Sequence, residues 1–503
     1  MVDNIISWNR QIGMHNFDVT LLYNAEQTKT FSTEVTNENF LPTQGLNFHG
    51  LQFGSKPDIE TYDTEAGGNA LMARLNYSLL DRYLLTASVR RDGYSAFGRE
   101  NNKATFPALA FAWRLSEEGF FSSSLISNLK LRFSWGINGN RDIGIYSALA
   151  QMNSNLYFDG TNAQMGVFTN TLSNNELRWE KTEAYNIGVD LALIENRIDL
   201  SAEFYDMTTT DLLMNRQLPG FTGFTSITSN LGELENRGMD LTLNTVNVSR
   251  PDVTWKSSLI YSMNRNKIIE LFGDTEVVDG VVRKAPDYNN EWFPGEAIDV
   301  VWDYELAGIW QVDEESLAAE YGLLPGDYKA VDVDGDRNYD ALVDKQFIGH
   351  MRPRHRLGLR NDVNFLKNFT ASVFLRADLG HIKEFDVATH EWSTYDRRNY
   401  WNIPYWTPTN GENEYPRLNE VRGQFGGDLR AFKPASFFRV QDISLSYNFP
   451  RELSEQYRIG NLSVFVSARN AFTITNWPGF DPEPGDGMRA MPKTFTIGFN
   501  VSL

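Results

Sequence analysis

The sequence predicts an all-β protein, a transmembrane antiparallel β-barrel, and three observations carry that prediction. About fifteen segments alternate apolar and polar side chains with the period of two that an extended chain imposes. Their connections are alternately tight and long, as in outer-membrane barrels, which keep short turns at one end and long loops at the other. No apolar run reaches the length of roughly eighteen residues that a membrane helix needs. A barrel escapes that need, because only its lipid face must be apolar.

In chain order, strands are expected near 5–11, 15–30, 66–79, 81–92, 105–116, 127–137, 181–193, 195–208, 231–248, 253–270, 353–366, 368–382, 435–448, 460–474 and 491–503. The clearest rung is Leu129 to Trp135, where Leu129, Leu131, Phe133 and Trp135 oppose Lys130, Arg132 and Ser134. Tyr83 to Arg90, Ile198 to Tyr205, Phe369 to Leu379 and Leu462 to Arg469 alternate in the same way. Tight connections fall at Ile12 to Met14, Leu80, Ile194, Ser249 to Asp252 and Lys367. The long extracellular loops are expected near 31–65, 138–180, 271–352 and 383–434. A soluble β-sandwich alternates too, but has no reason to gather its long loops at one end.

Charge and composition exclude several functions. A net charge of −19, from 65 acidic and 46 basic residues, opposes a phosphate-binding surface of the size nucleic acid requires, so no nucleic-acid partner is expected. The chain has no cysteine, which removes disulfides and thiolate chemistry. The six histidines show no metal-ligand spacing, and His350 and His355 sit in the basic stretch "HMRPRH". His390 beside Glu391 is the nearest approach to a catalytic pair, and no enzyme is expected. Met1 to Arg10 carries no export signal, and an odd strand count sends the first strand toward the periplasm. The chain is therefore expected to begin partway through a barrel.

Several blocks carry a family resemblance. They are "RLNYSLLDRYLLTASVRRDGYSAFG" at Arg74 to Gly98, Phe106-Pro107 with "WRLSEEGFF" from Trp113, and "LKLRFSWGINGN" at Leu129 to Asn140. From Leu177 to Leu213 the chain reads "LRWEKTEAYNIGVDLAL" and "NRIDLSAEFYDMTTTDLL", followed by "LPGFTGF" and "NLGELENRGMDLTL". Across almost its whole length the chain resembles the SusC/RagA-type TonB-dependent outer-membrane transporters. The resemblance implies a multi-pass protein of the Gram-negative outer membrane, embedded in its lipid. It implies import of oligomeric nutrients, oligosaccharides first and peptides as the alternative, with a SusD-like surface lipoprotein as lid. The TonB complex would act through an N-terminal plug region upstream of this chain. This chain would be the C-terminal part of the family's roughly 22-stranded barrel. A barrel used for adhesion or receptor display, without transport, is the reading from another class.

Some residues invite specific expectations. Gly136 and Gly139 stand where a strand meets the outer rim, a place that suits unusual backbone angles. Asn186, Asp190, Asp199, Glu203 and Asp240 are expected to point into a hydrated lumen, chiefly to hold the wall together. Phe495, Ile497, Phe499, Val501 and Leu503 alternate outward in the last strand, which looks like the assembly signal of outer-membrane barrels. Such proteins usually finish on an aromatic residue, and this one ends on Leu503.

"DVDGDRNYDALVD" places Asp332, Asp334, Asp336, Asn338 and Asp340 at alternate positions, an oxygen-rich set of the kind calcium takes. Arg337 replaces the turn glycine, Val343 replaces the final glutamate, and Asp344 comes one residue late. Calcium and a solvated Asx-rich turn both remain open readings. Around this loop, Trp292, Trp302, Trp310, Trp392, Tyr400 and Trp401 could stack on a sugar or meet a partner, or could pack the long loops together.

Overall fold

The computed structural model describes the chain except for residues 41–46, 279, 386–402, 419–422, 426–428, 451, 453–459, 486–488 and 503. One fifteen-stranded antiparallel sheet runs through it in sequence order, each strand paired with the next. Its strands are β1 (Val2–Ile12), β2 (His15–Glu38), β3 (Lys56–Leu79), β4 (Tyr83–Tyr94) and β5 (Lys103–Arg114). Then come β6 (Ile126–Asn140), β7 (Glu180–Leu193), β8 (Ile198–Thr210), β9 (Glu233–Arg250) and β10 (Val253–Glu270). The last five are β11 (His355–Phe365), β12 (Phe369–Leu379), β13 (Phe437–Asn448), β14 (Asn461–Thr475) and β15 (Thr494–Ser502). All fifteen expected segments are wall strands.

Two expectations need correction. Residues 31–38 and 56–65 of the expected 31–65 loop continue the β2–β3 pairing, out to Glu38 opposite Lys56. The apolar alternation stops where the strands leave lipid, but backbone pairing does not, and this stretch is rich in threonine and other good strand formers. Gly136 and Gly139 lie inside β6 and are not among the positive-φ glycines. What they provide is room: a Cβ on Gly139 would stand 2.1 Å from the Phe106 ring, and one on Gly136 3.0 Å from the Ala108 Cβ.

The two faces of the wall separate by chemistry. On one face of β10 lie Trp255, Leu259, Tyr261 and Met263, beside Leu357, Leu359, Val363 and Phe365 of β11. The opposite face is polar and holds itself together. Arg132 of β6 donates to Asp190 of β7 at 2.8 Å and to Glu203 of β8 at 2.6 Å. Gly188, between them in register, leaves space for the guanidinium, since a Cβ there would come within 2.9 Å of it. Asn186 reaches Glu203 at 3.4 Å. Asp190 and Glu203 thus brace the lumen wall.

The short turns strain the backbone. Leu366 and Lys367, between β11 and β12, have φ of 50° and 64°, and Leu80 and Asp81 repeat the pattern at 56° and 54°. Left-handed geometry costs an L-residue about 1–2 kcal/mol, and glycine escapes most of it. Lys367→Gly is expected to stabilise the folded protein by about 1 kcal/mol, since its ion pair with Asp252 at 3.9 Å is exposed and contributes little. Thermal unfolding of the full-length protein in detergent checks this; an unchanged or lower midpoint would show that the turn is not strained.

Candidate functional site

The long connections at the end opposite these turns fold into an assembly with its own core. Val300–Tyr304 pairs with Lys345–His350, Leu306–Ile309 with Tyr328–Ala330, and Ile382–Glu384 with Phe432–Pro434. Tyr304, Ile309, Trp310, Leu323, Tyr328, Tyr339, Trp406 and Leu429 make one apolar cluster within it. Burying aromatic rings gives these loops the hydrophobic content that a loop usually lacks.

That cluster settles where the expected loop aromatics stand. Trp310 is 2% exposed and Trp302 is 8% exposed, so both are core residues rather than ligand- or partner-facing ones. Lys329 sits 4.4 Å above the Trp310 ring, and Lys345 5.2 Å above that of Trp302. Trp292 is half-buried and its backbone bridges to Asp287. Trp392, Tyr400 and Trp401 lie outside the described residues. Alternation in sequence does not reveal a loop core, because irregular backbone has no period.

Charges stitch the assembly across long sequence distances. The buried Asp303 carboxylate accepts from Arg430 Nε at 2.7 Å and lies 3.4 Å from Lys345 Nζ. Arg430 also donates to Glu291 at 2.6 Å. Burial opposes the charge on Arg430, but Asp303 and Glu291 outweigh it and hold its pKa above the usual value. Arg417 donates to the buried Asp327 at 2.7 Å. Burial, with Asp344, Asp340 and Asp303 adding to it, pushes the Tyr304 hydroxyl up to about 12.

The Asp-rich turn is built differently from the spacing in sequence. Asp332, Asp334 and Asp344 bring carboxylate oxygens within 4.8 Å of one another, while Asp336, Asn338 and Asp340 stand outside that group. The reason is the helix Ala341–Asp344. Asp340 caps it, accepting from the Leu342 amide at 2.7 Å, and the helix carries Asp344 back to accept from the Val333 and Asp340 amides. Asp336 accepts from the Asn338 amide in a local turn. Arg337 adopts φ of 70° where glycine is usual, and its amide donates to Asp332 at 3.0 Å. Burial pushes the Asp332 carboxyl up, but the Arg337 and Gly335 amides and the Tyr321 hydroxyl hold it below the usual carboxylate range. Each of these carboxylate oxygens keeps a lone pair for a hard cation.

On the lumen side of β1 to β6, a cavity of about 740 Å³ is lined by Asn24, Glu26, Arg74, Arg90, Asp92 and Arg141 among others. Arg141 pairs with Glu26 across it, and Arg90 with Asp92 at 2.8 Å. At the last strand, Phe495, Ile497, Phe499 and Val501 are exposed on one face, opposite Ala468, Val466, Val464 and Leu462 of β14. Leu503 lies outside the described residues.

Comparison with known proteins agrees with this architecture. The family described as TonB dependent receptor-like, beta-barrel, matches residues 3–471. The chain is similar to TonB-dependent receptor P3 of Formosa agariphila, with 30% identity over 537 residues covering 100% of this chain and 52% of that protein. It is also similar to TonB-dependent receptor SusC of Bacteroides thetaiotaomicron, at 30% identity over 534 residues, 100% of this chain and 51% of that protein. It thus spans about half the length of the curated relatives it matches. Among solved structures, that of the RagAB peptide importer in the 'open-open' state superposes with a TM-score of 0.79 at 24% identity, covering 100% of this chain and 54% of that one. At that identity the likeness speaks for the fold alone. With fifteen wall strands, loops gathered at one end and a family match over most of its length, this chain belongs to the TonB-dependent receptor-like β-barrel family of the outer membrane.

Proposed function

We propose that this chain supplies the wall and outer loops of a TonB-dependent importer of oligomeric nutrients, of SusC/RagA type. The family match across residues 3–471 carries this reading. A cored loop assembly above a polar, ion-paired lumen wall supports it, because such a mouth can hold a bulky polar ligand. A SusD-like lipoprotein would close over the loops, and energy from the TonB complex would act through a region outside this chain. The proposed substrate class is oligosaccharide, which the SusC resemblance implies. Growth of a strain deleted for the full-length gene, on panels of glycans and of peptides, tests it. Loss of growth on one glycan class supports the proposal; normal growth on every glycan with loss on peptides moves the substrate to peptides.

In the same reading, calcium closes the Asp-rich turn through Asp332, Asp334 and Asp344. Three carboxylates at close quarters form the donor set that supports it. Removing calcium from the full-length protein with excess chelator is expected to raise amide exchange in the turn by about tenfold or more, and Asp344→Asn to do the same in the presence of calcium. Exchange indifferent to chelator would sink the metal reading.

A further inference from the structure

The basic stretch that the sequence presents at His350 to Arg356 takes no part in the importer reading, and the structure gives it a setting. His355 opens β11 on the apolar face of the wall, next to Tyr261 of β10. Its Nδ1 lies 2.8 Å from the Tyr261 hydroxyl and its Nε2 3.3 Å from Arg265 Nη2. Arginine can only donate, so Nε2 accepts and the Nδ1 hydrogen goes to the tyrosine oxygen. Arg265 also donates to the Arg354 carbonyl at 2.7 Å, which brings the two arginines together. Arg354 lies over Gly380 at the outer end of β12, where a Cβ would approach its side chain to 3.2 Å.

This group of cations has no compensating carboxylate. Among the described residues, none of Arg265, Arg352 and Arg354 forms an ion pair, in a chain whose net charge is −19. Asp299 is the nearby acid, and its oxygens accept from the Asn266 side-chain amide and the Arg352 backbone amide, each at 3.0 Å. The buried His350 Nδ1 has no partner. Burial and then Arg265 hold the Arg354 guanidinium below its ordinary value, and burial and then Arg354 do the same for His350. Like charges are being held together, which a structure tolerates when an anion joins them.

Position in the membrane says what kind of anion. On the lipid face of β10, apolar character runs from Trp255, beside the short turn, to Met263. That is the length of about nine residues with which a tilted strand crosses the hydrocarbon. Arg265 is the next residue on the same face, at the long-loop end. On β11 the same span runs from Phe365 to Leu357, and His355 is next. Tyr261 and His355 therefore stand in the outer aromatic girdle, and the arginines at the level of lipid headgroups.

We propose that Arg265, Arg352 and Arg354 form a binding site for a phosphate-bearing lipid headgroup of the outer leaflet, on the outside of the wall at β10 and β11. Guanidinium forks match phosphate oxygens, and a neutral glycan or a zwitterionic headgroup would leave the cations unmatched. The site is separate from the lumen and from the loop assembly, so it holds the barrel in its membrane whatever the cargo is.

The test uses the full-length protein in detergent with three probes: bisphosphorylated lipid A, the same lipid with its phosphates removed, and inorganic phosphate. Bisphosphorylated lipid A is expected to raise the unfolding midpoint, and the phosphate-free lipid to leave it unchanged. Arg265→Gln with Arg354→Gln is expected to weaken lipid A binding by about thirtyfold, from the usual contribution of two arginines against an anionic surface. Arg265→Lys with Arg354→Lys keeps the charges and folding and is expected to lose only a few-fold. Arg360→Gln, on the lumen face of β11, is expected to bind as the parent does. Equal stabilisation by phosphate-free lipid would overturn the proposal, as would full binding by the double glutamine variant. Inorganic phosphate that displaces lipid A at millimolar concentration would reassign the site to a soluble anion and overturn the lipid assignment.

Discussion

Arg439→Met is expected to release the last long loop from the wall, at a cost of about 3–5 kcal/mol, the usual penalty for breaking a buried ion pair by removing one partner. Arg439 is 0% exposed. Its guanidinium donates twice to Asp481, at 2.6 and 2.7 Å, once to Glu483 at 2.6 Å and once to the Thr473 hydroxyl at 3.1 Å. Arg376 holds the other oxygen of Glu483 at 2.9 Å and pairs with Asp378, while Lys383 donates to the Pro482 and Glu483 carbonyls. Without Arg439, the buried Asp481 faces no cation and the segment must open to hydrate it. Hydrogen exchange between Trp477 and Gly485 reads the opening. Adding Asp481→Leu is expected to recover much of the loss, since an apolar pair of similar volume removes the desolvation problem. A single variant with parental exchange would show that the loop is held by its apolar contacts instead.

Acid is expected to loosen the base of the loop assembly through His381. This imidazole is 5% exposed, its Nδ1 has no partner, and its backbone carbonyl accepts from the Ala435 amide at 3.0 Å. Burial, then the Lys383 charge, pushes its pKa down to about 4, with Asp378 opposing and Arg356 adding to the effect. The folded value lies below the unfolded 6.5. The contribution to stability is therefore complete above pH 6.5 and is lost as pH falls toward 4, because only the unfolded state takes up the proton across that window. The loss amounts to about 3 kcal/mol in total. Exchange at the Ala435 amide, corrected for its intrinsic pH dependence, should accelerate across this range, and His381→Gln should flatten the curve. A profile identical in both proteins would place the acid-sensitive group elsewhere.

Both predictions concern contacts that alternation cannot show. Arg439 reads in sequence as one more polar position in a strand, and Asp481 as part of a loop. Their pairing exists because the loop folds back across the mouth of the sheet. Asp344 is similar: its lateness relative to the calcium spacing is visible in sequence, but its return to Asp332 depends on a four-residue helix. Trp302 and Trp310 look exposed in a loop and are core. The basic stretch around His355 was visible as charge, and its height in the membrane emerged from the registers of β10 and β11.

By itself the sequence determined the all-β class, the fifteen wall strands, their order and the end at which the long loops gather. These follow from local physics: a period of two selects extended chain, and lipid on one side demands that it persist. Tertiary structure alone decided which charges meet, which loop aromatics are buried, how far β2 and β3 outrun the membrane and where the unpaired arginines stand. Those depend on distances between residues far apart in the chain, and side-chain pairing across such separations leaves no period to read.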